Sequence, residues 1–156
     1  MVRKLIAVSS SSNEGLNSIV DGRFGRCPYF TIVEVIDGDF KLKEVVQNPA
    51  MGAMGGAGMQ AAQLVGNKGV NVVITGNVGP NAFTALSSLG IEIVTGAFGI
   101  SVKQAVQDYL NGRLKPTDSA TVQSHFGMGR GARGGGGFGA GMGRGMGRGM
   151  GRGRYW

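Results

Sequence analysis

The segment at residues 70–83 constrains the fold most, because a run of β-branched apolar residues there is followed directly by glycine and then by a helical pattern. The run is too short for a helix, and its closure by Gly76 is typical of a strand buried on both faces of a parallel sheet. Gly76 and Gly79 permit a tight turn, and Pro80 suits the first turn of a helix. Apolar residues then recur at helical spacing, at Ala82, Phe83, Leu86 and Leu89. The segment predicts a strand, a glycine turn and a helix.

Such a turn marks a candidate binding site. It leaves unpaired backbone N–H groups at the start of the helix, beyond the carboxyl end of the strand, where open α/β sheets bind ligands. Gly76, Asn77 and Gly79 are therefore candidate binding residues. The need to turn the chain explains the same glycines equally well, since short glycine patterns are common.

The rest of the chain predicts four more strands and two more helices. Asp37-Gly38 between two strand-like runs indicates a hairpin, and Ser101 followed by Gln104 has the form of a capping box at a helix start. The predicted strands are 5–9, 30–36, 40–46, 70–75 and 91–95, and the predicted helices cover 59–67, the stretch after Pro80 up to Gly90, and 102–110.

These elements predict an α/β fold in the order β-β-β-α-β-α-β-α, with a mixed five-stranded sheet and helices packed on its faces. We place strand 1 at the centre, parallel to the strands after residues 70 and 91, with strand 2 antiparallel to it. Strand direction alone then brings the unusual loops to one edge of the sheet, at residues 9–15, 23–27, 51–59, 76–80 and 96–99. This convergence predicts a ligand site.

Two arginines and a thiol fall on one of these loops, at Arg23, Arg26 and Cys27. Together with the N–H groups of helix starts, they suit an anionic ligand, including one that contains a metal. The arginines would favour the thiolate of Cys27, although a lone cysteine is also commonly a small buried residue. His125 is a second candidate metal ligand, against the alternative of an ordinary exposed residue. No acid pair or nucleophile beside a base stands out, so we expect no catalysis.

The basic charge of the chain lies almost entirely in its last thirty residues. The net charge is +7, and residues 127–156 contain 15 of the 31 glycines, six arginines and no acid. We therefore predict a folded domain over 1–115, a linker over 116–126 and a disordered tail over 127–156. Arginine and glycine interleaved with aromatic residues resemble segments that bind RNA through charge and stacking, whereas a tail that only aids solubility is the alternative.

A single cysteine excludes an internal disulfide and a four-cysteine cluster within one chain. The apolar run near residue 5 is too short for a secretory signal, and no later run approaches the length of a membrane span. We therefore expect a cytoplasmic protein that does not bind membranes.

Three segments in the same order resemble the dinitrogenase iron-molybdenum cofactor biosynthesis family, which includes NifX-like proteins and the carboxyl-terminal domain of NifB. The segments are residues 21–30, residues 56–62 and residues 73–82 with 89–91. The resemblance covers roughly residues 1–115 and implies a ribonuclease-H-like fold. It also implies a non-catalytic carrier of an iron–sulfur or iron–molybdenum cluster, and the family's Phe-Gly-Arg motif falls on Phe24, Gly25 and Arg26.

The sequence thus predicts a cluster-binding protein whose site contains residues 23–27, and whose partners are donors or acceptors of the cluster. One cysteine cannot hold a cluster alone, so ligation by Cys27 requires a second chain such as a homodimer partner, an exogenous ligand, or His125. Two alternatives remain open at this stage. One is an anionic small-molecule site at the same edge, and the other is weak binding of RNA or another polyanion by the tail.

Overall fold

A five-stranded mixed sheet is the centre of the protein, whose residues 3–121 are described by a computed structural model. Its strands lie in the spatial order β3-β2-β1-β4-β5, and β2 alone runs antiparallel to the other four. The strand bounds are β1 Arg3–Ser10, β2 Tyr29–Ile36, β3 Asp39–Gln47, β4 Val72–Ile74 and β5 Glu92–Val94. The predicted α/β class and mixed sheet are confirmed.

Three helices cover the two faces of this sheet: α1 Ala57–Asn67, α2 Pro80–Ser88 and α3 Val102–Leu110. Helices α1 and α2 pack on one face through a core that includes Phe30, Ile32 and Leu86, whereas α3 packs on the other face. Helix α1 begins two residues before the predicted start, because glycine-rich sequence ahead of it obscured the apolar period.

The central strand β1 is buried on both faces because its side chains alternate between the two cores. Leu5 and Ala7 belong to the core beneath α1 and α2, and Ile6 and Val8 belong to the core beneath α3. This arrangement explains why β1 is an unbroken apolar run.

Turn and cap signals in the sequence are largely confirmed. Asp37 and Gly38 have φ angles of 51° and 89°, as a two-residue hairpin turn of the primed type requires, and they join β2 to β3. Ser101 Oγ accepts a hydrogen bond from the Gln104 amide at 3.1 Å. The reciprocal half of the predicted capping box is wrong, because the Gln104 side chain donates to Asp108 instead, at 2.8 Å.

Residues 116–121 were expected to begin a linker but form part of the folded unit. Pro116 forms an antiparallel bridge with Val94, and Thr117 donates its amide to the carbonyl oxygen of Ile93 at 2.6 Å. Sequence periodicity cannot detect this segment, because its contacts depend on hydrogen bonds to distant residues rather than on an apolar pattern.

The remainder of the predicted linker, the predicted disordered tail at 127–156 and the candidate ligand His125 lie outside the described residues. Within residues 3–121, no helix is long and apolar enough to cross a membrane.

The packing of α2 predicts that two leucines, Leu86 within the helix and Leu89 just after it, contribute very differently to the free energy of unfolding. Leu86 is fully buried, so Leu86→Ala should lower the free energy of unfolding by about 2–5 kcal/mol through lost contacts and a cavity. Leu89 is 44 % exposed, so the matched change Leu89→Ala should cost roughly 1 kcal/mol or less. Urea unfolding of both variants tests this difference, and equal costs would contradict the described packing.

Candidate functional site

The loops at one edge of the sheet, which we call the rim, come together as their strand directions require. The rim comprises the loops after β1, β3, β4 and β5 and the loop before β2, since β2 alone runs the other way. These loops contain both candidate arginines, the cysteine and both candidate turn glycines.

The arginine-bearing loop, residues 22–27, packs on the backbone of the first turn of α1, and that turn packs on the first turn of α2. A Cβ atom on Gly25 would lie 2.8 Å from the amide nitrogen of Gly58 in the first turn of α1. A Cβ atom on Gly58 would in turn lie 2.9 Å from the Cβ of Ala82 in the first turn of α2. The loop and the two helix starts therefore form one continuous patch, which larger side chains would separate.

The turn after β4 touches the same loop from the other side. A Cβ atom on Gly76 would lie 2.6 Å from the Cα of Gly22, and the Asn77 amide donates to the Gly22 carbonyl oxygen at 2.9 Å. Gly76 and Asn77 thus dock the arginine loop. Gly79 is the N-cap of α2, and among the described residues no side chain caps that helix start.

Arg23 is held in place by a carboxylate two residues earlier. Its Nε and Nη2 atoms donate to the two oxygens of Asp21 at 3.1 and 3.2 Å, and its backbone amide also donates to Asp21, at 2.9 Å. The hydrogen bond to Asp21 raises the pKa of Arg23, so the guanidinium stays charged. The side chain of Arg23 is 32 % exposed, so a guanidinium oriented by Asp21 remains partly accessible at the surface.

Arg26 connects the arginine loop to the methionine-bearing loop, residues 48–56. Its Nη1 atom donates to the carbonyl oxygen of Met51 at 3.0 Å and to that of Ala53. No residue from 48 to 67 carries a charge, so Arg26 brings a positive charge to a stretch that has none of its own.

Asn48 forms a second tie between the same two loops. Its side-chain amide donates to the carbonyl oxygens of Gly25 at 3.1 Å and Cys27 at 2.8 Å, and its carbonyl oxygen accepts from the Ala50 amide at 3.0 Å. The residue is 2 % exposed, so these bonds satisfy a buried polar side chain while fixing the loop.

The Cys27 thiol is a core group in this structure. It is fully buried and donates to the Phe24 carbonyl oxygen at 3.3 Å. Burial raises the pKa of Cys27 far above its usual range, and the nearby charge of Asp21 raises it further, whereas Arg23 opposes this only weakly. Arg23 thus favours the thiolate, as expected, but desolvation outweighs its attraction and the net pKa of Cys27 is raised.

Helices α1 and α2 begin at the rim without acidic residues or side-chain caps among the described residues. Gly56 is the N-cap of α1 and Gly79 that of α2, and neither offers a side-chain acceptor to the first amides of its helix. Uncapped amides carry the positive end of the helix dipole, which favours an anion. The two starts are adjacent through the contact of Gly58 with Ala82.

The structure places the predicted site residues in three groups. Arg23, Arg26 and Gly79 lie at the accessible rim, and Gly25, Gly76 and Asn77 serve the contacts between its loops. Phe24 is 2 % exposed and packs on Phe30 with ring centroids 5.3 Å apart, so it anchors the loop in the core together with Cys27.

Sequence reasoning missed Asp21, Asn48 and Thr121 as rim residues. The spacing of Asp21 and Arg23 is a recognisable side-chain turn, and Asn48 precedes a proline as turn-forming asparagines do. Thr121 carries no local signal, since its hydrogen-bond partner Val78 is 43 residues away.

A separate hollow of about 360 Å³ lies at the opposite edge of the sheet, beside the hairpin. Three carboxylates and one lysine contribute to its lining, which comprises Glu34, Ile36, Asp37, Asp39, Phe40 and Lys41. This excess of negative charge suits an anionic ligand far less than the rim does.

The fold and the rim define a small α/β domain in which glycine-rich loops converge at one edge of a mixed sheet. The model of the dinitrogenase iron-molybdenum cofactor family matches residues 3–112, and the chain belongs to this family. The family's name associates it with iron-molybdenum cofactor.

Three other proteins resemble this chain in sequence or in structure. An uncharacterized protein of Methanocaldococcus jannaschii is 37 % identical over 99 residues, which cover 64 % of this chain and 83 % of the relative. The apo form of the orange protein from Desulfovibrio gigas is 36 % identical, with a TM-score of 0.69 over 76 % of this chain and 97 % of the other. A Thermotoga protein provisionally assigned as NifB is 32 % identical, with a TM-score of 0.57 over 74 % and 93 % of the two chains.

The contact at Gly25 predicts that even one methyl group disturbs the rim. Gly25→Ala should lower the free energy of unfolding by about 1–3 kcal/mol, because the new Cβ meets the α1 backbone rather than a flexible side chain. Gly55→Ala is the matched control, since nothing lies within 4 Å of a Cβ at that position. Thermal unfolding of both variants tests the contact, and an unaffected Gly25→Ala protein would contradict it.

Burial of Cys27 predicts a thiol that is slow to react. At pH 8 the folded protein should react with a disulfide reagent about 100-fold more slowly than the same protein in denaturant, because the thiolate is scarce and shielded. Absorbance of the released reagent thiol measures both rates, and similar rates would show that Cys27 is accessible.

Proposed function

We propose that this protein is a non-catalytic carrier of an anionic metal cluster of the iron–sulfur or iron–molybdenum type, bound at the rim. The observation that carries the proposal is the continuous patch formed by the arginine loop and the adjacent, uncapped starts of α1 and α2. Membership of the family supports the choice of a metal cluster among anionic ligands.

The patch offers two kinds of donor to an anion. Backbone N–H groups at the two helix starts provide fixed dipoles, and the guanidinium groups of Arg23 and Arg26 provide charge-assisted hydrogen bonds. Asp21 and the carbonyl oxygens of the methionine-bearing loop orient those two groups, so little side-chain entropy is lost when a ligand binds.

The protein contributes outer contacts to the cluster rather than metal ligands. Within residues 3–121 no group of three or more histidine, cysteine or acidic side chains is placed to hold a metal ion, and Cys27 is buried as a thiol. Iron–sulfur clusters held directly by proteins require several thiolates. The cargo is therefore a cluster whose coordination is already complete when it reaches the rim, and ligation by Cys27 is not part of this proposal.

A carrier of this kind needs a donor and an acceptor protein, which are the partners we infer.

The order β3-β2-β1-β4-β5 with only β2 antiparallel supports the ribonuclease-H-like classification implied by the family resemblance.

Polyanion binding by the six arginines of residues 127–156 is the rival function. The only observation that favours it is the charge of that segment.

Anaerobic incubation with iron, sulfide and a small thiol, followed by metal analysis and visible absorption, tests the carrier function. The wild type and Cys27→Ala should retain iron equally, because the thiol is not a ligand. Arg26→Gln should weaken retention by about tenfold or more, since one charged donor is lost. Arg113→Gln is the matched control, because Arg113 is 71 % exposed and pairs with Asp108 on α3.

If only Cys27→Ala loses iron, the Cys27 thiol is a metal ligand, and the proposal that the protein makes no metal bond to the cluster is overturned. Absence of iron in every protein would overturn the carrier function. RNA binding that disappears when the six tail arginines are replaced by glutamine would then favour the rival.

A further inference from the structure

The segment at residues 116–121, which we call the C-terminal strap, lies beyond the residues that the family model matches. It is nevertheless tied to the folded unit at two points. The first tie is to β5, where the Thr117 amide donates to the Ile93 carbonyl oxygen and the Thr117 hydroxyl accepts from the Thr95 amide at 3.2 Å. This tie covers the outer edge of β5.

The second tie reaches the rim. Thr121 forms hydrogen bonds with both backbone polar groups of Val78. The Thr121 amide donates to the Val78 carbonyl oxygen, and the Val78 amide donates to Thr121 Oγ1, each at 2.8 Å. Val78 is 1 % exposed, so within the described structure Thr121 supplies the acceptor that this buried amide requires.

Val78 is the centre of the turn that connects the two halves of the proposed site. Asn77, on one side of Val78, donates to the Gly22 carbonyl oxygen and so holds the arginine loop. Gly79, on the other side, is the N-cap of α2. A displacement of Val78 therefore moves the helix start and the arginine loop relative to each other.

The turn has little to hold its shape by itself. Gly76 and Gly79 restrict the backbone weakly, and no side chain of the described residues caps the start of α2. The two hydrogen bonds from Thr121 thus restrain the backbone of the turn from outside, which the turn residues themselves do not do.

We propose that Thr121 is a positioning residue for the anion-binding rim, fixing the turn at Val78 so that the α2 amides and the arginine loop face one ligand. This inference rests on the proposed carrier function and deepens it. It assigns to the strap, outside the family match, a part in ligand affinity.

Three substitutions in the full-length protein separate positioning from a general effect on stability. Thr121→Val removes the hydroxyl with little change of shape, and Thr121→Ser keeps it. Thr117→Val removes the same group from the other tie, away from the turn. The probe is a preformed iron–sulfur cluster with small thiolate ligands, and hydrogen exchange of the Val78 amide is followed in parallel without the probe.

Thr121→Val should speed exchange at Val78 by about tenfold or more and weaken cluster binding by about three- to tenfold. Thr121→Ser should resemble the wild type in both measurements. Thr117→Val should lower the melting temperature while leaving exchange at Val78 and cluster affinity near wild-type values.

Unchanged exchange at Val78 in Thr121→Val would overturn the positioning role, as would equal losses of affinity in Thr117→Val and Thr121→Val. Normal binding by the wild type with unaltered binding by Thr121→Val would overturn it while leaving the carrier function standing. Failure of the wild type to bind the cluster would overturn the carrier function itself, and the positioning role with it.

Discussion

Close packing against the backbone of Gly25, Gly58 and Gly76 is the constraint on which the rim depends. At each position a Cβ atom would come within 2.9 Å of another residue, so the loops meet only because these side chains are absent. The closeness has a chemical consequence. Amides of two helix starts and the arginine loop become neighbours within one patch, and dipoles that would act separately can act on one ligand.

Each of the two arginines at the rim is held by hydrogen-bond acceptors of the protein itself. Arg23 forms an ion pair with Asp21, and one nitrogen of Arg26 donates to backbone carbonyl oxygens. Both guanidinium groups are therefore oriented before a ligand arrives. The buried neutral Cys27 belongs to the support of this loop, together with Phe24 and Asn48. Such a surface fits the carrier function proposed above, because outer contacts release a ligand without breaking metal bonds.

Much of the fold could be predicted because its signals are local. The apolar run of β1, the Asp37-Gly38 turn and the period of α3 each lie within a few residues, where sterics and burial alone select the structure. The candidate site was predicted less completely. Arg23 and Arg26 were identified at the rim, whereas for Cys27 the sequence left both a buried thiol and a metal ligand open, since its burial depends on Asn48 and on the core beneath the loop.

The sequence by itself determined the strands and helices, the glycine turns and the loops that meet at one edge, because periodicity and strand direction need no knowledge of distant contacts. Only the tertiary structure decided which groups at that edge face solvent. The hydrogen bonds between Thr121 and Val78 join residues 43 positions apart in the sequence. Phe24 is buried in the core, whereas its neighbour Arg23 is not. Hydrogen bonds between remote segments and the desolvation of individual side chains depend on how the elements pack, and no local pattern records that packing.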